Sequence, residues 1–271
     1  MSEKPEAKQI IEAGKKLRVG FYGITGCAGC LESVIFNEDE IVGLFNLVDV
    51  QAFPFIKGAN SNENLDVAFM EGLVASPRDL ETLREVRKNA RVLIALGACA
   101  CSGCIPAYRH YTPLENYQHL LYEKEDDIKD VPPTPLDAHV TVDFSIPGCP
   151  PNGKEILEVV KAVAAGKAPR PYMAPVCIEC RRRGNYCLLE LGKPCLGAIT
   201  RGGCGAVCPS GGFECWGCRG QTEDANLPAF IELLEQKGFS WDFIKQRIRT
   251  FVGLKTPDLE PLRRELEVEK V

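Results

Sequence analysis

Eight of the chain's 14 cysteines lie between positions 177 and 218: Cys177, Cys180, Cys187, Cys195, Cys204, Cys208, Cys215 and Cys218. They divide into two sets of four, each with one Cys-x-x-Cys pair. A thiolate pair at that spacing chelates one metal centre, and four thiolates complete either a zinc site or a cubane iron-sulfur cluster. A zinc ribbon sets two such pairs about 15 to 20 residues apart. Here Cys180 and Cys215 are 35 positions apart with four single thiols between them, a spacing that favours iron-sulfur over zinc. The compact four-cysteine run of bacterial ferredoxins does not occur. Gly, Pro and Arg interleave these thiols with almost no hydrophobic periodicity, so the segment needs inorganic cross-links to hold it.

The elements that position the other six cysteines are legible upstream. Leu17–Gly23, Leu47–Phe53, Leu65–Glu71, Arg91–Gly97 and Val140–Ser145 are apolar, β-branched runs that read as strands. Helical segments fill the gaps; Pro77–Ala90 is the clearest, with Ser76 as N-cap and Pro77 at its first position. Strands alternating with helices predict an α/β, flavodoxin-like, doubly wound parallel sheet. Ligands of such sheets bind beyond the carboxyl ends of the strands, where Cys27 and Cys30, Cys99 to Cys104, and Cys149 all fall. The proline-rich stretch Lys167–Pro175 reads as a linker. The expected division is therefore residues 1–168, a flavodoxin-like domain, and 169–271, a loop-rich, cysteine-rich iron-sulfur domain with C-terminal helices. Leu227–Val252 reads as amphipathic helix, and Leu259–Val271 as a charged helix or frayed end.

Composition narrows the function. The chain has 271 residues, 45% of them hydrophobic and 25% charged, which is ordinary globular composition. A net charge of −5 argues against binding nucleic acid by neutralising phosphates. The longest apolar run, Val92–Cys101, is shorter than the roughly 18 residues of a membrane span, and Met1–Lys16 carries neither an export-signal core nor a twin-Arg pair. A cytoplasmic location without a membrane span is expected, and there thiols ligate metal rather than pair as disulfides. Gly23-Ile24-Thr25-Gly26 has a look of a phosphate-binding loop, but Cys27 and Cys30 occupy the turn and no Gly-x-Gly-x-x-Gly follows, so flavin on this chain is not expected.

Four landmarks in order, Gly26-Cys27-Ala28-Gly29-Cys30-Leu31-Glu32, Gly97-Ala98-Cys99-Ala100, Pro147-Gly148-Cys149-Pro150-Pro151 and the eight-cysteine region, resemble the small, electron-transferring subunit of nickel-iron hydrogenases over most of the chain. The resemblance implies three 4Fe-4S clusters: a proximal one on Cys27, Cys30, Cys99 and Cys149, a medial one on Cys204, Cys208, Cys215 and Cys218, and a distal one on Cys177, Cys180, Cys187 and Cys195. Two positions depart from the periplasmic members. Cys177 stands where they place a histidine, and Cys208 lies where a proline leaves their medial cluster one iron short. Thiolate in place of imidazole adds negative charge and lowers the expected distal potential.

The resemblance also implies that no catalytic centre lies on this chain. The nickel-iron centre belongs to a large-subunit partner, and in the NAD(P)-linked and sulfhydrogenase branch the acceptors are iron-sulfur and FAD-carrying NAD(P)-reactive subunits. The alternatives are a hydrogenase feeding a heterodisulfide reductase and, remotely, a zinc-binding scaffold. Glu32 reads equally as a proton relay beside the large subunit and as a helix-start carboxylate. Cys104 aligns with an additional proximal thiol of oxygen-tolerant relatives, but Gly29 stands at the position of the other; Cys101 and Cys104 otherwise read as small buried hydrophobes. Arg181, Arg182 and Arg183 read as a solvated charge run, Trp216 and Trp241 as packing residues, and none of His110, His119 and His139 as a ligand.

Overall fold

Leu17–Gly23 (β1), Val48–Ala52 (β2), Leu65–Glu71 (β3), Ala90–Leu96 (β4) and Phe144–Ile146 (β5) form one sheet, and the residues of β1, β3 and β4 divide between two apolar clusters, one on each face. The computed structural model describes residues 16–112, 123 and 129–262. All strand pairs are parallel, in the order β2-β1-β3-β4-β5, which is the flavodoxin-like order. Phe21 and Phe69 lie opposite each other in the β1–β3 register, their rings stacked at 4.9 Å, with Phe53 at 4.7 Å from Phe21. Gly29–Ile35 (α1), Glu38–Leu47 (α2) and Gly153–Ala164 (α5) cover this face through Leu31, Val34, Leu44, Ile156 and Val160. Pro77–Asn89 (α3) covers the other through Leu83 and Val86, and Gly97–Ser102 (α4) follows β4.

The last strand is shorter than the apolar run Val140–Ser145 suggests. Val140 and Val142 pack against the cluster around Leu136, and the Asp143 carboxylate accepts from Leu93 N at 2.7 Å while pairing with Arg87. Asp143 N still donates to Leu93 O at 2.9 Å, so ahead of Phe144 the side chain replaces only the return bond of the ladder. Arg91–Gly97 is shifted by one, since Gly97, at φ +88, already opens α4.

Contacts divide the molecule in two. The first unit runs up to Cys101 and resumes to end at Pro171; the second begins at Ser102 and takes the chain from Tyr172 on. The second unit holds Val176–Arg182 (α6), Val207–Ser210 (α7), Leu227–Gln236 (α8) and Trp241–Val252 (α9). The run Leu227–Val252 is two helices rather than one: Gly238 turns at φ +87 and Ser240 caps the second through Phe243 N. Leu196, Ile199, Leu227, Phe230, Ile231, Leu234, Ile244 and Ile248 form the helical core. Around the cysteines, by contrast, the buried cluster consists of Val176, Leu188 and Ala206 together with Cys195 and Cys215. His119, most of the tail from Leu259 and nearly all of Met1–Lys16 lie outside the described residues.

One carboxylate fastens the strand-end loops of the first unit. Asp79, in the first turn of α3, accepts from Thr25 N (3.1 Å), Thr25 Oγ1 (2.8 Å), Ala75 N (3.1 Å) and Ser76 Oγ (2.8 Å). Burial alone would raise its pKa, but these bonds outweigh it and hold the group below the ordinary carboxylate value. A depressed folded pKa stabilises the fold above the unfolded value and the gain is lost as pH falls through the folded one. Asp79→Asn should therefore cost roughly 2 kcal/mol at pH 7 in denaturant unfolding of the intact chain, and the gap from the native protein should narrow below about pH 4.

Candidate metal centres

The first thiol set is assembled from three strand-end loops. After β1 the chain passes over Gly72, where φ is +92 and any Cβ would stand 2.7 Å from Thr25 O, so only glycine lets the two loops approach. Cys27 is exposed, Ala28 turns in the left-handed region at φ +67, and Cys30 is buried in the first turn of α1. Cys99 lies in α4, and Ala98 N donates to Gly148 O at 2.7 Å, tying this helix to the loop that carries Cys149. Burial, followed by the charges of Glu71, Cys99, Cys149 and Cys27, pushes the Cys30 thiol far above its ordinary pKa. Cys30 therefore lies within electrostatic reach of the other three thiols. A methyl group on Gly97 would collide with Cys30 Sγ, so the glycine leaves the space into which this sulfur projects.

Glu71 is 2% exposed at the end of β3, and its Oε2 accepts from Leu31 N at 2.7 Å. Burial raises its pKa, opposed by bonds from Leu31, Cys30 and Ala28. It braces the amino end of α1 and hence Cys30. Sequence reasoning passed over it, although a lone carboxylate closing the apolar strand Leu65–Glu71 was the available signal. Glu32, two residues after Cys30, is exposed to solvent in the same first turn of α1.

In the second unit, α6 presents Cys177 and Cys180 three positions apart. Burial and the charges of Cys195, Cys180 and Cys187, partly offset by Arg181, push Cys177 up to about 11. Gly197 forms a cradle: a Cβ there would stand 3.4 Å from Cys177 Sγ and 3.6 Å from Cys195 Sγ. Asn185 Nδ2 donates to Cys180 Sγ at 3.6 Å. In the other four-thiol set, Cys208 is raised by burial and by Cys204 and Cys195, and Cys215 far more strongly by burial, with Cys195 and Cys218 adding to it. Glu179 holds the loop around Cys204, accepting from Gly203 N at 3.0 Å and Gly205 N at 3.1 Å. No local spacing in the sequence marks this carboxylate, whose partners lie 24 and 26 positions away.

No disulfide joins any of the 14 cysteines. Among the described residues no three His, Cys, Asp or Glu are grouped tightly enough for a single metal ion, so the thiol sets are known by their mutual electrostatics and shared cradles rather than by a tetrahedron. Sets of thiols only, with Cys30, Cys195 and Cys215 buried and N–H donors on Cys180 and Cys195, fit a polycationic metal-sulfide group that drives their deprotonation. Cys101 donates to Ala95 O at 3.7 Å, and Cys104 is buried beside Gly253 at the end of α9. Arg181, Arg182 and Arg183 are exposed, Trp241 Nε1 donates to Glu260, and His139 bonds Thr134.

A parallel sheet with cysteines on its strand-end loops, followed by a cysteine-rich unit, defines a class of redox subunit, and comparisons give the family. The family model for the NADH ubiquinone oxidoreductase 20 kDa subunit matches residues 27–163. Sulfhydrogenase 2 subunit delta of Pyrococcus furiosus is 36% identical over 87% of this chain and 99% of its own length. The G subunit of the F420-non-reducing hydrogenase vhu of Methanocaldococcus jannaschii is 31% identical over 76% of this chain and 83% of its own. Among solved structures, a chain of an NAD+-reducing [NiFe]-hydrogenase in the H2-reduced state aligns with a TM-score of 0.53 and 26% identity, covering 58% of this chain and 95% of that one. The chain belongs to this oxidoreductase family and, within it, to the small subunits of nickel-iron hydrogenases. A large-subunit partner and iron-sulfur clusters come with that membership. No helix among the described residues is long and apolar enough to cross a membrane.

The packing of Gly97 on Cys30 is open to test. Gly97→Ala, strained at φ +88, should expel Cys30 from its place and raise its alkylation rate in the intact protein at least about tenfold, read by mass spectrometry, while Cys195 and Cys215 are unaffected.

Proposed function

We propose that the chain is the electron-relay subunit of a nickel-iron hydrogenase, holding three 4Fe-4S clusters: the proximal on Cys27, Cys30, Cys99 and Cys149, the medial on Cys204, Cys208, Cys215 and Cys218, and the distal on Cys177, Cys180, Cys187 and Cys195. The nickel-iron centre lies on the large subunit, and the acceptor is an FAD-carrying NAD(P)-reactive subunit in a cytoplasmic complex. The observation that carries this reading is the convergence of three thiols, Cys27, Cys99 and Cys149, from three strand-end loops on the buried Cys30. The eight thiols of the second unit, in two sets meeting at Cys195, support the remainder.

When bound, such clusters supply one-electron oxidation and reduction without proton chemistry of their own. The protein's share is placement and environment. Buried Cys30, Cys195 and Cys215 keep water from the sulfurs, and Cys215 N and Asn185 Nδ2 donate to Cys195 Sγ and Cys180 Sγ, easing negative charge there. Cys177, a thiol where related chains carry imidazole, supports a low-potential distal site. Glu32, exposed in the first turn of α1, is the proposed proton relay to a docked large subunit; its exposure supports that reading.

The similarity to sulfhydrogenase subunit delta and to the NAD+-reducing enzyme favours the NAD(P) acceptor. The similarity to the F420-non-reducing hydrogenase chain supports a second reading with a different acceptor, of which heterodisulfide reductase is the candidate.

The test is elemental and catalytic analysis of the complex captured anaerobically through this chain. The account expects about 12 irons with equal labile sulfide assigned to this chain, together with FAD and hydrogen-dependent NAD(P) reduction. Zinc without labile sulfide would return the chain to a structural scaffold, and a full cluster complement without hydrogen-dependent NAD(P) reduction would favour the second acceptor.

A further inference from the structure

Arg247 lies on the apolar face of α9 beside Ile244 and Ile248 and is only 3% exposed. Its guanidinium carbon stands 3.3 Å from the centroid of the Trp216 ring, a cation–π stack. One Nη2 reaches Glu214 Oε1 at 3.3 Å and Cys215 O at 3.4 Å, and Nε has no hydrogen-bond partner among the described residues. A guanidinium keeps its charge at any ordinary pH, so this is a permanent cation held indoors with incomplete hydrogen bonding. Packing alone does not require it, since a methionine would fill the same apolar face.

Its neighbours explain the position. Cys215 N donates to Cys195 Sγ at 3.2 Å, and Leu196 N donates to the Cys215 carbonyl at 2.9 Å, the same oxygen that Arg247 approaches. The Gly197 cradle lies within 3.8 Å of Cys215 Cβ as well as beside Cys177 and Cys195. The two thiol sets of the second unit therefore touch at Cys195 and Cys215, and the buried cation stands at that junction. Its charge interacts with the Cys195 and Cys215 thiols.

We propose that Arg247 is a potential-setting residue for both metal centres of the second unit, its fixed charge at the Cys195–Cys215 junction stabilising the reduced, more negative state of each. The inference rests on the iron-sulfur reading of Cys177–Cys218. Glu214 is the counter-charge that tempers it. Through this pair the protein shifts the two centres in the same direction.

The experiment is a dithionite titration of the intact, anaerobically purified complex, with midpoints read by electron paramagnetic resonance and iron and labile sulfide measured on the same samples. Arg247→Gln should shift both second-unit signals toward harder reduction by about tenfold in the one-electron equilibrium, 59 mV, and leave the first-unit signal in place. Arg247→Lys should restore most of the shift, and Glu214→Gln should move both signals the opposite way. A residue that only packs would not reverse sign between these variants. Full cluster content with unmoved midpoints in Arg247→Gln would overturn the proposal. If that variant fails to assemble, unmoved midpoints in Glu214→Gln would overturn it equally. Native protein lacking iron and labile sulfide would instead sink the iron-sulfur reading, and this inference with it.

Discussion

Thiols that repel one another inside a protein are the constraint on which this structure turns. Cys30, Cys195 and Cys215 are buried, and each has its ionisation opposed by burial and by the charge of neighbouring cysteines. Left alone such groups stay protonated and act as small hydrophobes. To become ligands they need a cation strong enough to displace their protons, and N–H donors to share the charge that remains. The features around them answer that need: the Cys215 and Asn185 donors, the glycines at 97 and 197 that leave room at the sulfurs, and the cation Arg247.

The two units meet this constraint differently. In the first, a five-stranded sheet with apolar clusters on both faces is a complete scaffold, and the thiols sit on loops at its rim. Carboxylates brace those loops from beneath: Asp79 through Thr25 and Ala75, Glu71 through Leu31. In the second unit the cysteines are themselves a large part of the buried cluster around α6, with only Val176, Leu188 and Ala206 beside Cys195 and Cys215. On the proposed reading, metal held there would serve as core as well as cofactor. The α8–α9 pair, with its own apolar packing, anchors the outer side.

The strand-end placement of Cys27, Cys30, Cys99 and Cys149 was legible in the sequence because a parallel sheet leaves little choice about where its loops emerge. Leu17–Gly23 and Leu65–Glu71 were legible to the residue, since buried central strands are continuous apolar runs. Phe144–Ile146 was not, because Asp143 bonds the neighbouring backbone through its side chain, which hydrophobicity does not record. The break at Gly238 was hidden by apolar periodicity on both sides of it. Glu71, Glu179 and Arg247 were missed for a common reason. Each is a charge whose partners are backbone groups or side chains distant in sequence, so local spacing carries no mark of them. Arg247 did leave one trace, a cation on the apolar face of an amphipathic helix.

The central claim is that metal substitutes for an apolar core around the cysteines of the second unit, and hydrogen–deuterium exchange on the intact chain before and after anaerobic removal of iron tests it most directly. The account predicts that amides of residues 176–218 lose most of their protection on iron removal while those of β1, β3 and β4 keep theirs. Equal protection of residues 176–218 with and without iron would contradict it.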